Sequence, residues 1–206
     1  LDFQHNRQMA EDGIAGTLVA QELRLVDMAT QKHGREAVRE RQWLESLPPS
    51  IAGQHVYIDP ECRSDVETAA TWVAGSEAAN NIQILGGRSS LSRSIDTTPP
   101  PRLRSQKANR MDVDLVIGFF LPDDGDEGIY YFSSEHSRSE AGAEIASRLA
   151  ERLDLRPYGR SMPILKETRA PAVVVAVRSL SRKVGRVVAH TVAAMYERPH
   201  GEEDRG

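Results

Sequence analysis

DLVIGFFL, Asp114 to Leu121, decides the architecture of this chain. After Asp114 the run is apolar without interruption. A strand that faces water on one side alternates polar and apolar residues, so an unbroken run belongs to a strand covered on both faces. It is also too short for a buried helix. AVVVAV (Ala172–Val177) has the same character, and VYID (Val56–Asp59) and GIYYFSS (Gly128–Ser134) read as further strands. Between them lie helical stretches. Glu67 to Asn80 is expected to turn Ala69, Ala70, Val73 and Ala74 inward, Ser139 to Leu153 is well patterned, and Arg182 to Tyr196 closes the domain. Strands alternating with helices predict an α/β fold, a mostly parallel twisted sheet flanked by helices on both faces.

The remaining segments set the organisation. Residues 1–31 read as a short helical N-terminal segment, with a turn at Asp12-Gly13 and Leu18, Leu23 and Leu25 on an apolar face. Residues 32–54 form a charged connector, with Trp43, Leu44 and Leu47 placed to dock on the adjoining domain. Residues 55–198 make the α/β domain and 199–206 a polar tail. SIDTTPPPR (Ser94–Arg102) reads as an extended surface loop, where Thr97 and Thr98 are candidate phosphorylation sites. PDDGDEG (Pro122–Gly128) reads as a solvated acidic turn without the spacing of a calcium loop.

Bulk properties narrow the function. The 206 residues carry a net charge of −4, which gives no argument for nucleic acid as a partner. One cysteine excludes an intrachain disulfide and fits a reducing compartment. No apolar run is long enough to span a membrane. Leu1 falls in the middle of what reads as a domain, so the natural N-terminus is expected upstream.

Five stretches, in order, resemble the zinc-dependent N-acetylmuramoyl-L-alanine amidases: VYIDP (Val56–Pro60), LSR (Leu91–Arg93), LRSQKAN (Leu103–Asn109), DLVIGFFLP (Asp114–Pro122) and PAVVVAVRSLS (Pro171–Ser181). FQHNRQMAEDGIAG (Phe3–Gly16) resembles the end of a peptidoglycan-binding repeat, with Gln8 and Met9 where Gly and Leu are usual. A binding repeat, a charged connector and a degenerate amidase domain together resemble the CwlM-like actinobacterial group. Tyr158-Gly159-Arg160 and the ILKETRAP stretch beyond it resemble that group too.

The resemblance implies positions for a metal site. Active members hold zinc with two histidines and a glutamate, and use a second glutamate as general base. Here the first histidine falls at Cys62, whose thiolate is itself a zinc ligand type. The ligand glutamate falls at Glu67, which equally reads as a helix-start residue complementing the dipole. The second histidine falls at Phe120 and the general base at Ala176. Neither side chain binds metal or moves a proton. His136 and His190 have no metal-motif spacing. Arg63, beside Cys62, is placed to lower the thiol's pKa. Arg63, Arg160 and Arg178 are expected near the strand ends, as a site for an anionic ligand or partner.

The resemblance therefore implies a pseudoenzyme with no cofactor: a catalytically inactive, cytoplasmic binding or regulatory protein of peptidoglycan biosynthesis. Its expected partners are proteins of precursor synthesis, with peptidoglycan fragments as further ligands. Two alternatives stand beside it: a zinc amidase with rearranged ligands, and an exported, non-catalytic peptidoglycan-binding module.

Overall fold

A computed structural model describes residues 38–123, 125 and 127–197. The repeat-like segment 1–31, residues 32–37 of the connector and the tail 199–206 lie outside the described residues. The chain is helical over 38–45 (α1). Next come β1 (His55–Pro60), α2 (Asp65–Ile84), β2 (Arg88–Leu91), α3 (Pro101–Arg110), β3 (Leu115–Phe120), β4 (Gly128–Phe132), α4 (Glu140–Leu153), β5 (Pro157–Arg160), α5 (Pro163–Lys166), β6 (Ala172–Ala176) and α6 (Arg182–Tyr196).

The six strands form one sheet in the order β2-β1-β3-β6-β4-β5. All neighbours are parallel except β4, which runs antiparallel to β6. The two continuous apolar runs, β3 and β6, lie side by side in the middle, as burial on both faces requires. Val56, Ile58, Ile117, Phe119, Val173 and Val175 point to one face and pack with α2, α4 and α6. Tyr57, Val116, Tyr130, Val174 and Ala176 point to the other, covered by Ala108 of α3 and by Ile164 and Leu165 of α5. The α/β expectation, with helices on both faces, therefore holds.

Local details differ from the sequence reading. The third proline of SIDTTPPPR is not loop: Pro101 opens α3, since a first-turn residue needs no N–H and proline's φ suits a helix. Two elements were not anticipated, β5 and α5, each four residues long. The compact unit that holds the sheet begins at Glu40, so the second half of the connector is part of it. Trp43 and Leu47 pack against the core and Ile51 is inside it. Glu40 accepts hydrogen bonds from the Ser139 hydroxyl (2.9 Å) and Ala141 N–H (3.1 Å), capping α4 alongside Ser139 itself.

The orientation of α2 also departs from expectation. Ala74 is fully buried, but Ala69 is exposed and Val73 is 40% exposed. Size, not hydropathy, selects its inward face. Gly75 lies against Pro60 and Ile58 of β1, and the backbone of Ala74 approaches Gly185 of α6 so closely that any side chain at Gly185 would overlap the Ala74 carbonyl. Gly185→Ala is accordingly expected to destabilise the domain by about 1–3 kcal/mol through overpacking, read as a lower urea midpoint with an unchanged m-value.

Candidate functional site

The carboxyl ends of β1, β3 and β6 converge where an α/β sheet ordinarily carries its ligand site. Asp59 and Pro60 end β1, Phe120 ends β3 and Ala176 ends β6. Gly118 stands between Asp59 and Val174 in register, and Phe120 is directly opposite Ala176.

A buried arginine organises the β1 side. Arg104, from α3, is 1% exposed, with Nε 2.8 Å from Asp59 Oδ1 and one terminal nitrogen 2.7 Å from Glu61 Oε1. The Asp59 contact is a close ion pair with poor hydrogen-bond alignment: neither Arg104 Nε nor Asp59 Oδ1 has an aligned partner. One guanidinium thus serves two carboxylates. Burial pushes the Asp59 carboxyl above its usual range, against the pull of Arg104 and with Glu61 adding to the rise. Tyr57 of β1 donates its hydroxyl to the Arg104 carbonyl at 3.0 Å, so α3 is pinned to the sheet by backbone as well as charge.

A second buried arginine, Arg93, closes the loop after β1. It is 4% exposed and donates to the carbonyls of Pro60 (2.9 Å) and Thr68 (3.0 Å). Its guanidinium also lies 5.3 Å from the centre of the Trp72 ring. The Pro60 carbonyl at the end of β1 is thereby tied to the first turn of α2 through one guanidinium.

Glu67 lies on the first turn of α2, whose cap is Ser64: the Ser64 hydroxyl accepts from Glu67 N–H. Its carboxylate does not reach back to the cap residue as in a capping box. Oε2 accepts from Arg63 N–H and Arg63 Nε, each at 2.9 Å. Oε1 accepts from the other arm of Arg63 at 2.9 Å and from Leu121 N–H at 3.1 Å. The remaining donors of Arg63 go to the Leu121 carbonyl (2.6 Å) and to Asp123 (2.8 Å). Beneath the guanidinium lies Phe120, with its ring centre 4.2 Å away. Hydrogen bonding to Glu67 raises the Arg63 pKa above its ordinary value.

Cys62 is half-buried, its Sγ 3.5 Å from Arg104. The sequence expectation that Arg63 lowers its pKa is not met. Arg63 is turned to Glu67, and burial pushes the thiol up despite the nearby Arg104. Among the three arginines expected together, Arg63 touches Phe120 and Arg178 comes two residues after Ala176, where its N–H is held by Glu127. Arg160 is elsewhere. Because β4 runs against β6 and β5 runs with β4, the end of β5 is level with Phe132, toward the start of β6. Its side chain lies along Tyr130 and Tyr158. His136 and His190 are both exposed. The acidic turn is more than solvated surface, since Asp123 and Glu127 tie it to Arg63 and to the Arg178 backbone.

A zinc ion needs three converging donors and an open position. Among the described residues no three His, Cys, Asp or Glu side chains are grouped to hold one. Glu67 already receives four hydrogen bonds. Phe120 has no lone pair, and Ala176 is completely buried. These residues do not fit the metal.

The architecture defines an amidase-like α/β domain. In solved structures the same fold is found in an N-acetylmuramoyl-L-alanine amidase from Clostridium difficile 630 (TM-score 0.56, 16% identity, covering 70% of this chain and 95% of that one). It recurs in Ami1 from Mycobacterium smegmatis (TM-score 0.58, 14% identity, 71% and 98%). By sequence the chain is similar to the protein named N-acetylmuramoyl-L-alanine amidase CwlM of Mycobacterium tuberculosis, 24% identical over 202 residues. That similarity covers 85% of this chain, which spans about half the length of that relative. No family model matches the chain.

Replacing Arg104 with Met strands Asp59 and Glu61 and is expected to cost about 3–5 kcal/mol in urea unfolding. Alkylation of Cys62 by iodoacetamide in the folded chain is expected to show a pH profile with its midpoint above that of free cysteine. A midpoint below it would place the thiolate under an arginine's control after all.

Proposed function

We propose that this domain is a catalytically silent relative of the N-acetylmuramoyl-L-alanine amidases that acts in peptidoglycan biosynthesis by binding. The observation that carries this reading is the pairing of Phe120 with Ala176. The resemblance gives these neighbouring positions to a metal ligand and to the general base, and neither side chain can do that work. The fold likeness to two amidases and the sequence similarity to a protein named for the same activity support the cell-wall context. On this reading the chain works in the cytoplasm on proteins of precursor synthesis, without a cofactor. Of the arginines expected to serve carboxylates of a partner or of a peptidoglycan fragment, Arg63 is committed to Glu67, Asp123 and the Leu121 carbonyl, which leaves Arg178 for that role at the strand ends. Arg160, toward the other end of the sheet, is a separate contact.

The purified chain, incubated with muramoyl peptides and added zinc, is expected to release no L-alanyl peptide above a protein-free control. Immobilised chain is expected to enrich precursor-synthesis enzymes over bare resin. Cleavage in the first assay would replace this reading with that of a zinc amidase. Enrichment of none, with binding to isolated peptidoglycan instead, would replace it with that of a cell-wall-binding module.

A further inference from the structure

We infer that Arg63 is the resident cation of the former metal site, so that a guanidinium attached to the chain does the structural work of a metal ion. The inference deepens the silent-enzyme reading and rests on its assignment of Glu67 and Phe120 to ligand positions, but not on any partner. Glu67 is the starting point. Its side chain is 2% exposed, and a carboxylate at that depth is costly unless a positive charge and hydrogen bonds meet it. Arg63 supplies both. Two arms of its fork and its own backbone N–H bind the two oxygens, and Leu121 N–H supplies the fourth bond. That fills the acceptor capacity of a carboxylate.

Phe120 then acquires a reason. As a metal ligand it is a defect, but as the neighbour of a guanidinium it is apt. The face of an aromatic ring is its electron-rich side, and Arg63 is stacked 4.2 Å above the centre. A histidine there would either charge beside the arginine or present a polar nitrogen needing its own partner. The cation and its aromatic floor therefore form one matched unit. The outer side of the guanidinium reaches the Leu121 carbonyl and Asp123, so the same cation fastens the β3–β4 connection to the start of α2. A bound metal performs that kind of cross-link between separate segments.

The test is rescue of a hole shaped for a cation. Arg63→Ala is expected to lower the melting temperature by several degrees, because Glu67 is left buried and unpaired. Low-millimolar guanidinium chloride is expected to restore part of that loss, relative to the same concentration of sodium chloride, and to leave the unsubstituted chain unchanged. Adding Glu67→Gln to Arg63→Ala removes the stranded charge. This double variant is expected to melt above Arg63→Ala and to ignore guanidinium. The inference is overturned if Arg63→Ala melts like the parent chain. It is overturned equally if guanidinium acts the same on the single and double variants. Should Arg63→Ala fail to fold, the double variant decides alone: recovery of a folded chain upholds the inference, and failure sinks it. None of these readouts involves hydrolysis or a partner, so they can fail while the silent-enzyme reading stands, and the reverse.

Discussion

One buried guanidinium, that of Arg104, sets the terms for the carboxyl ends of the strands. It faces Asp59 at the end of β1 and Glu61 in the loop beyond it, with almost no contact with water. An ion pair at this depth gains little net stability, since desolvation offsets most of the attraction, but losing one member is expensive. The arrangement is therefore better understood as positional. Asp59 has one place to go, α3 must cross the sheet where its arginine can reach, and Tyr57 fixes the same turn through its hydroxyl. Arg93 does the corresponding task on the α2 side, chiefly through carbonyls and without a carboxylate partner at hydrogen-bond distance among the described residues. The loop carrying Cys62 and Arg63 hangs between these two anchors.

Much of this was legible in the residues, for physical reasons that differ by element. β3 and β6 announced themselves because burial on both faces forces an unbroken apolar run. α4 and α6 did so because their apolar residues recur on one side of the helix. β5 and α5 were not legible, since four residues carry no period and β5 is largely exposed. α2 was found but turned, because an alanine-rich helix has no strong apolar side and close approach at Gly75 decides its face. Phe120 and Ala176 could be placed as substitutions from the resemblance alone, and their pairing came from the register. Arg104 was in plain view within LRSQKAN, yet an arginine is read as surface by default, and only the fold puts it inside. The Leu121 and Asp123 partners of Arg63 lie 58 and 60 residues away along the chain, beyond any local pattern.

Arg63, Glu67 and Phe120 also show why residues at the strand ends are best interpreted in pairs. Taken singly, and by the resemblance, Glu67 reads as a retained ligand, Phe120 as a lost one and Arg63 as a surface residue. Together they form a closed electrostatic unit: a buried anion, a forked cation and a ring whose face suits the cation. A substitution such as Phe120→His would meet an arginine already seated over that position, so the three side chains are matched to one another as they stand.

The two edges of the sheet bear on how the chain behaves beside copies of itself. β2 and β5 are the outermost strands, and each is only four residues long. β5 opens with Pro157, which has no N–H to offer, and closes with Arg160, while β2 opens with Arg88. A neighbouring strand arriving at either margin would find few unpaired backbone groups and a charge to desolvate. Strand addition, a common route by which exposed sheets polymerise, is blunted at both margins, and crowding at high expression levels should not turn this sheet into a template.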